Sequence, residues 1–381
     1  MFETGIAAPE LIHTPESFQA LIADLRQQDR IAVDTESNSL HAYRERVCLL
    51  QFSTAERDYV LDPLAVRDLS PLGPIFEELL IEKVFHAAEY DILCLRRDFG
   101  FTFATMFDTM QAGRILGRKM AGLDKLLEDK FALKVSKRLQ KADWGARPLS
   151  PALLQYAAQD THYLIPLRDL LEAELRDAGL LELAQEDFRM TCNHLHPIAP
   201  ERDESAAWSR MRLRRDLQSQ ELTILKELSD WREETARRLD RPPFKVMGDD
   251  RLISLARSQP SDSSSLQAAG LTERQIEQWG AELIDAVRRG QGNPMIGPVR
   301  QPVPSGAYLK RLDVLKEWRK KVAAAMQVES DVVLPRALLL ALAEGGAGQM
   351  HAIMSASPWR LRHFGDQIST ILDRSSPPAM P

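Results

Sequence analysis

Ile31–Glu36 reads IAVDTE, Val47–Thr54 reads VCLLQFST and Arg57–Pro63 reads RDYVLDP. Each is a short run rich in apolar, β-branched or aromatic residues and bounded by polar ones, the pattern of a strand. Little room for a helix is left between the second and third, so the chain must return alongside itself as an antiparallel meander. Working outward, Glu16–Gln28 (ESFQALIADLRQQ) carries helical periodicity before the first strand. Downstream, KVFHA at Lys83–Ala87 reads as a strand leading into a helix around Tyr90–Phe99, and FATMFD at Phe103–Asp108 leads into a helical run over Thr109–Leu116. The fold class expected is a mixed α/β sheet layered with helices.

After GLDKLLEDKFAL (122–133) comes a basic connection, KVSKRLQKADWGARPLS (134–150), whose Ser150 and Pro151 suit the N-cap and first position of a long helix through YAAQDTHYLIPL (156–167). Pro166 is expected to kink or divide it. The segment HLHPIAPERDES (194–205) reads as a loop and marks the first domain boundary. Beyond it the pattern is helical and repeats itself. Residues 225–256 match residues 312–343, with Trp231-Arg232 aligned to Trp318-Arg319, Val246 to Val333 and Ala256 to Ala343 at a constant offset of 87. Two copies are too few for a solenoid and predict duplicated small all-α domains. The expected division is 1–200, 205–290 and 306–381, with the Pro/Gly-rich stretch 291–305 as a linker.

A chain of 381 residues with 44% hydrophobic composition can build two or three cores. Its formal net charge of -6 means that any nucleic-acid binding must rest on local basic patches or metal ions. Cys48, Cys94 and Cys192 are too few and too far apart for a disulfide framework or a four-thiolate zinc site. No signal-peptide pattern or membrane-length apolar run is found, so a cytoplasmic protein without membrane partners is expected. The sequence has no GxxxxGK[ST] phosphate loop and no GxSxG elbow, and no dinucleotide cofactor is expected.

Asp34 and Glu36, two apart in a strand, project to one face; Tyr156 and Asp160, four apart in a helix, are neighbours on another. Asp91, near a helix start, could simply complement the helix dipole. Taken singly, each is an ordinary surface feature. Together, carboxylates converging on one apolar-walled site are costly to leave ionised unless cations neutralise them, which points to a two-metal phosphodiesterase.

The three segments DTE, HAAEYD and YAAQD resemble the three motifs of the DEDD superfamily of 3′-to-5′ exonucleases, in the branch whose third motif is Tyr-x-x-x-Asp. DWGARPLS and the duplicated helical modules narrow the resemblance to the ribonuclease D family, the modules resembling HRDC domains. The first keeps LKELSDWR, ARRLDRPPF and LISLA; the second lacks the PPF element. The resemblance implies a ribonuclease-H-like exonuclease domain and two divalent ions, Mg²⁺ or Mn²⁺. Asp34 would contact both, Glu36 and Asp160 would support the ion that activates water, and Asp91 would hold the other partly through water. Tyr156 would orient that water, since a phenol with a pKa near 10 is mainly a hydrogen-bonding group at neutral pH. The implied substrates are RNA 3′ ends, tRNA precursors included, and the products nucleoside 5′-monophosphates.

His41, His86 and His162 lie near the acidic motifs but lack His-rich metal spacing and are left out of the metal site. Lys134, Lys137, Arg138, Lys141 and Arg147 are candidate phosphate contacts, with Trp144 either stacking on a base or packing beneath the loop. A second basic run, WSRMRLRRD (208–216), adds Arg212, Arg214 and Arg215 as candidate RNA contacts. Trp231 and Trp318 read as core anchors rather than stacking platforms. Two other readings stand beside the exoribonuclease: a related DNA exonuclease, and a non-catalytic nucleic-acid-binding protein.

Overall fold

The computed structural model describes residues 6–193, 204–211, 216–297 and 304–375. Expectations about Arg212, Arg214 and Arg215, the boundary at 194–203 and linker residues 298–303 fall outside the described residues. The chain forms two compact units. One holds residues 6–37, 47–193 and 304–375; the other holds Asn38–Arg46 with 204–211 and 216–297.

The first unit begins with β1 (Glu10–Ile12), α1 (Pro15–Leu25), β2 (Arg30–Ser37), β3 (Val47–Ser53) and β4 (Asp58–Leu61). Then come α2 (Gly73–Glu77), β5 (Glu82–Phe85), α3 (Glu89–Phe99), β6 (Met106–Asp108), α4 (Thr109–Ile115) and α5 (Leu123–Phe131). Six strands make one mixed sheet in the order β1-β4-β3-β2-β5-β6. The expected meander is β2, β3 and β4; β5 and β6 extend it in parallel, and β1 joins the far edge parallel to β4. The three residues of β1 were not foreseen, because so short a strand has no readable period and owes its form to pairing with β4.

Register decides what faces what. Ala32 pairs with Ser53, Asp34 with Gln51 and Glu36 with Leu49, so these six side chains share one face of the sheet. On the other face Ile31, Val33, Leu50, Phe52, Tyr59 and Leu61 join Phe18 and Leu21 of α1 and Ile92 and Leu95 of α3 in the main apolar core.

Three helices follow: α6 (Pro151–His162), α7 (Leu164–Asp177) and α8 (Leu181–Asn193). The start of α6 is as expected, with Ser150 Oγ accepting from Leu153 N and Pro151 in the first turn. It covers the Asp34 face: Tyr156 and Ala157 pack with Leu49 and Val60, and Ser53 Oγ donates to Thr161 Oγ1 at 2.7 Å. The helix is divided at Tyr163 rather than at Pro166 itself. A proline deep in a helix would clash with the carbonyl four residues back and lacks an N–H, so the break falls one turn early and Pro166 occupies the first turn of α7.

The second unit contains α9 (Ser219–Arg238), α10 (Pro243–Val246), α11 (Asp249–Ser258), α12 (Ser263–Ala268) and α13 (Glu273–Gly292). The other copy of the repeat, in the first unit, contains α14 (Gly306–Met326), α15 (Ser330–Val333), α16 (Arg336–Met354) and α17 (Pro358–Ser375). Helices α14, α15 and α16 begin at the same 87-residue offset from α9, α10 and α11 that relates Trp318 to Trp231. Trp231 Nε1 donates to Glu282 at 2.6 Å and Trp318 Nε1 to Gln367 at 2.9 Å. Arg232 and Arg319 donate to the carbonyls of Met247 and Leu334 at 3.0 and 2.9 Å. The left-handed backbone position is shared too: Gln259 (φ 48) ends α11, and Gly346 (φ 61) kinks α16. Both tryptophans pack with their modules, as expected of core anchors.

Candidate active site

Asp34 and Glu36 leave the C-terminal half of β2 on the face that α6 covers, and Tyr156 and Asp160 come down onto it from α6. Asp91 stands in the first turn of α3 and is buried, with Thr35 Oγ1 donating to its Oδ1 at 2.5 Å. Five residues from three stretches of sequence are thus gathered around the C-terminal end of β2, an interior strand of the sheet. Asp34, Glu36 and Asp160 keep some surface open while sitting deep among protein atoms, as groups on the floor of a cleft do.

The turn that presents α3 is held by a residue the sequence reading passed over. Buried Asp108, the N-cap of α4, accepts from Met110 N at 2.8 Å, Gln111 N at 3.1 Å, Ala87 N at 3.1 Å and Ala88 N at 2.8 Å. Ala87 has φ 65, a left-handed conformation that costs a non-glycine residue on the order of 1 kcal/mol, and the grip of Asp108 keeps it there. Asp before a helical run is a recognisable capping signal, but its second task, reaching back across the sheet, is not local.

Burial raises the pKa of all four acids, and the charges of neighbouring acids add to it. Glu36 is pushed up to about 9, first by burial and then by Asp160 and Asp91. Asp160 rises to about 7 through burial and the charge of Asp91. Asp91 also sits at about 7: burial raises it most, the Thr35 hydroxyl pulls it back, and Asp108 pushes it up. Asp34 is well above the ordinary carboxylate range through burial, then Asp91, Asp160 and Glu36. Tyr156 is raised by burial and then by Asp160, Glu36 and Asp34, so it remains a neutral phenol. None of the groups acting on Glu36 or Asp160 is a cation. Four hard oxygen donors with mutual repulsion suit a hard divalent cation. Among the described residues, as the side chains stand, no group of three or more histidine, cysteine, aspartate or glutamate side chains is arranged to hold a metal ion.

The neighbouring histidines are engaged elsewhere. His86 Nδ1 lies 2.9 Å from Thr109 Oγ1 and His162 Nδ1 lies 2.7 Å from Asp58 Oδ2, while His41 belongs to the second unit. Of the candidate RNA contacts, Arg138 and Lys141 are exposed, and Lys137 pairs with Asp124 at 2.8 Å while keeping most of its surface open. Two candidates are corrected. Trp144 is 1% exposed, its ring centroid 6.0 Å from that of Tyr156, and has no face free for a base. Arg147 forks onto Asp62 at 2.7 and 2.8 Å and donates to the carbonyls of Cys48, Trp144 and Ala146. Burial alone would raise Asp62, yet the Arg147 guanidinium holds it below its usual value. Both residues fasten the basic connection to the sheet rather than offering it to a ligand.

A family profile described as 3′-5′ exonuclease matches residues 9–176, and one described as HRDC domain matches residues 221–287 and 309–372. The chain is 33% identical to the exosome complex exonuclease RRP6 of Saccharomyces cerevisiae over 74% of its own length, spanning 41% of that protein. It is 30% identical to ribonuclease D of Gluconacetobacter diazotrophicus, over 82% of this chain and 81% of the relative. Among solved structures, that of Escherichia coli RNase D, described as an exoribonuclease involved in structured RNA processing, superposes with a TM-score of 0.71 at 25% identity, covering 97% of this chain and 99% of that one.

Proposed function

From the premise that the chain belongs to the ribonuclease D family of 3′-5′ exoribonucleases, we propose that it shortens RNA from the 3′ end with two divalent ions, Mg²⁺ or Mn²⁺, held by Asp34, Glu36, Asp91 and Asp160. The observation that carries this reading is the cluster of carboxylates whose pKa burial and neighbouring acids raise, with no cation among the groups acting on Glu36 and Asp160. When bound, the ions neutralise these acids, lower the pKa of water and stabilise the attacking and leaving oxygens. With such an ion bound, water and substrate phosphate oxygens would supply the ligands that the carboxylates do not, as suits Mg²⁺.

The chain's own groups do the rest. Thr35 holds the Asp91 carboxylate in place, and Asp108 holds the turn beneath it. The Tyr156 phenol, kept neutral by burial and its acidic neighbours, hydrogen-bonds the attacking water and orients it. Water oxygen adds to phosphorus and the bond from phosphorus to the 3′ oxygen breaks. The leaving oxygen takes up a proton as the new 3′-hydroxyl, and the released nucleotide is a nucleoside 5′-monophosphate.

Lys137, Arg138 and Lys141 on the exposed connection are proposed to meet substrate phosphates. Structured RNA, tRNA precursors among it, is the proposed substrate class, and the cytoplasm the proposed location; among the described residues no helix is long and apolar enough to cross a membrane. The deciding experiment incubates 3′- and 5′-end-labelled RNA, beside a DNA strand of the same sequence, with Mg²⁺, Mn²⁺ or EDTA. Metal-dependent release of 5′-mononucleotides from RNA is expected; release unaffected by EDTA would overturn the metal reading, and preference for DNA would overturn the substrate.

A further inference from the structure

Gln51 stands directly opposite Asp34 in the β2–β3 register, where the Cβ atoms of an antiparallel pair lie about 4.5–5.5 Å apart. Its neighbours on the same face are tied to α6: Leu49 packs with Tyr156 and Ala157, and Ser53 donates to Thr161. Gln51 therefore lies beneath the turn of α6 that carries Asp160, with Asp34 beside it. It is fully buried, and neither Nε2 nor Oε1 has a hydrogen-bond partner. Each such group costs about 1–3 kcal/mol, and an apolar side chain of equal volume would avoid the cost. Ser53, two residues on and also buried, has partners in Asp58 and Thr161. On this strand the unmet hydrogen bonds thus fall at the position facing Asp34.

We propose that Gln51 is a positioning residue of the cleavage site: its Nε2, unpaired here and opposite Asp34, donates to the Asp34 carboxylate once a divalent ion holds that acid in its ionised form. A neutral amide suits this task better than a lysine or arginine. A fixed positive charge would satisfy the acids and compete with the divalent ion, whereas a neutral amide can orient a carboxylate and leave its charge available. Oε1 is left to accept from a water of the site. The inference rests on the two-metal reading and adds to it a group that orients the Asp34 ligand in the loaded site.

The test uses the full chain with Gln51→Leu and Gln51→Met, which remove both polar atoms at similar volume. Thermal unfolding without metal checks the fold, and calorimetric titration with Mn²⁺ reads the site. The expected result is an unfolding temperature equal to or above that of the unmodified protein and a Mn²⁺ dissociation constant raised about 10- to 100-fold, with kcat falling and KM for RNA little changed. A folded variant that binds Mn²⁺ as the unmodified protein does overturns the proposal, and lower stability with unaltered Mn²⁺ binding shows a packing role only. If the unmodified protein itself binds no Mn²⁺, the metal reading fails and this inference with it; if only the variants' binding is unaltered, the metal reading survives.

Discussion

In the cleft, Asp34, Glu36, Asp91 and Asp160 are acids whose pKa is raised by burial and then by nearby acids. At the seam between α8 and the second helical module, Glu186 and Asp187 are also enclosed, but other parts of the chain meet them. Glu186, 2% exposed, accepts from Ser357 Oγ at 2.6 Å and from the backbone N–H of Trp359. Asp187 receives the guanidinium of fully buried Arg360 at 2.7 and 3.0 Å; burial still keeps its carboxyl above the ordinary value, and Arg360 pulls it back. Arg114 adds ion pairs to Glu329 and Asp331 across the same seam. The difference shows how to read a buried acid. One that the chain has supplied with a fixed donor or cation is part of the architecture, and one left among other acids is held ready for something the chain does not contain.

Asp34→Asn should break the cleft half of this comparison most severely. Turnover is expected to fall at least about 10⁴-fold, since metal stabilisation of the transition state is worth several kcal/mol and each 1.36 kcal/mol is tenfold. The metal-free protein should nevertheless melt at a higher temperature, because one member of a mutually repelling group is gone; a lower melting temperature would show that Asp34 is structurally satisfied after all. Tyr156→Phe should come next, lowering turnover roughly 10²–10⁴-fold, the range for a positioned acid-base group, while metal affinity holds. Single-turnover rates beside metal titrations check this, and lost metal binding with unchanged chemistry would reverse the assignment.

The seam should behave in the opposite sense. Arg360→Met leaves Asp187 buried without its cation and should cost about 3–5 kcal/mol of stability, with turnover per folded molecule close to normal; denaturant unfolding monitored beside activity measures both. The last effect is one of pH. Glu36 sits at about 9 in the folded protein against 4.5 ordinarily, and Asp91 and Asp160 at about 7 against 3.8. Folding thus favours their protonated forms, so their contribution opposes the metal-free fold increasingly as pH rises through the ordinary values toward the raised ones. A divalent ion needs the ionised forms, so apparent Mn²⁺ affinity should climb as pH goes from about 6.5 to about 9, by up to about tenfold per unit for each proton released. Calorimetry in buffers of different ionisation enthalpy counts those protons, and flat affinity over this range would mean the cleft acids are already ionised.

The two helical modules sharpen the same lesson. Their internal Trp and Arg hydrogen bonds repeat, as do the edge-to-face ring contacts of Trp231 with Trp279 and Trp318 with Phe364. What differs is the company each keeps. The second module shares an apolar core with the sheet and its helices, whereas the first packs its own core with Tyr43 of the Asn38–Arg46 segment, Arg237 lying over that ring at 5.4 Å. The repeat was legible because it is written in residue identity at a fixed spacing. The docking of one copy was not, because it depends on Glu186 and Asp187 meeting residues more than 170 positions away.

By itself the sequence determined the meander and its strands, the shared face of Asp34 and Glu36, the Ser150-Pro151 helix start, the pairing of Tyr156 with Asp160 on one helix turn, and the duplication. All of these follow from periodicity, capping and steric rules acting within a few residues. Tertiary structure alone decided that β1 exists, that Thr35 and Asp108 secure Asp91 and its turn, and that Trp144 and Arg147 serve the fold instead of a ligand. It alone left Gln51 buried without a partner beside the acids. Desolvation and the choice of hydrogen-bond partner are properties of the folded surroundings, and the same carboxylate, amide or guanidinium takes a different role according to which distant segment is brought against it.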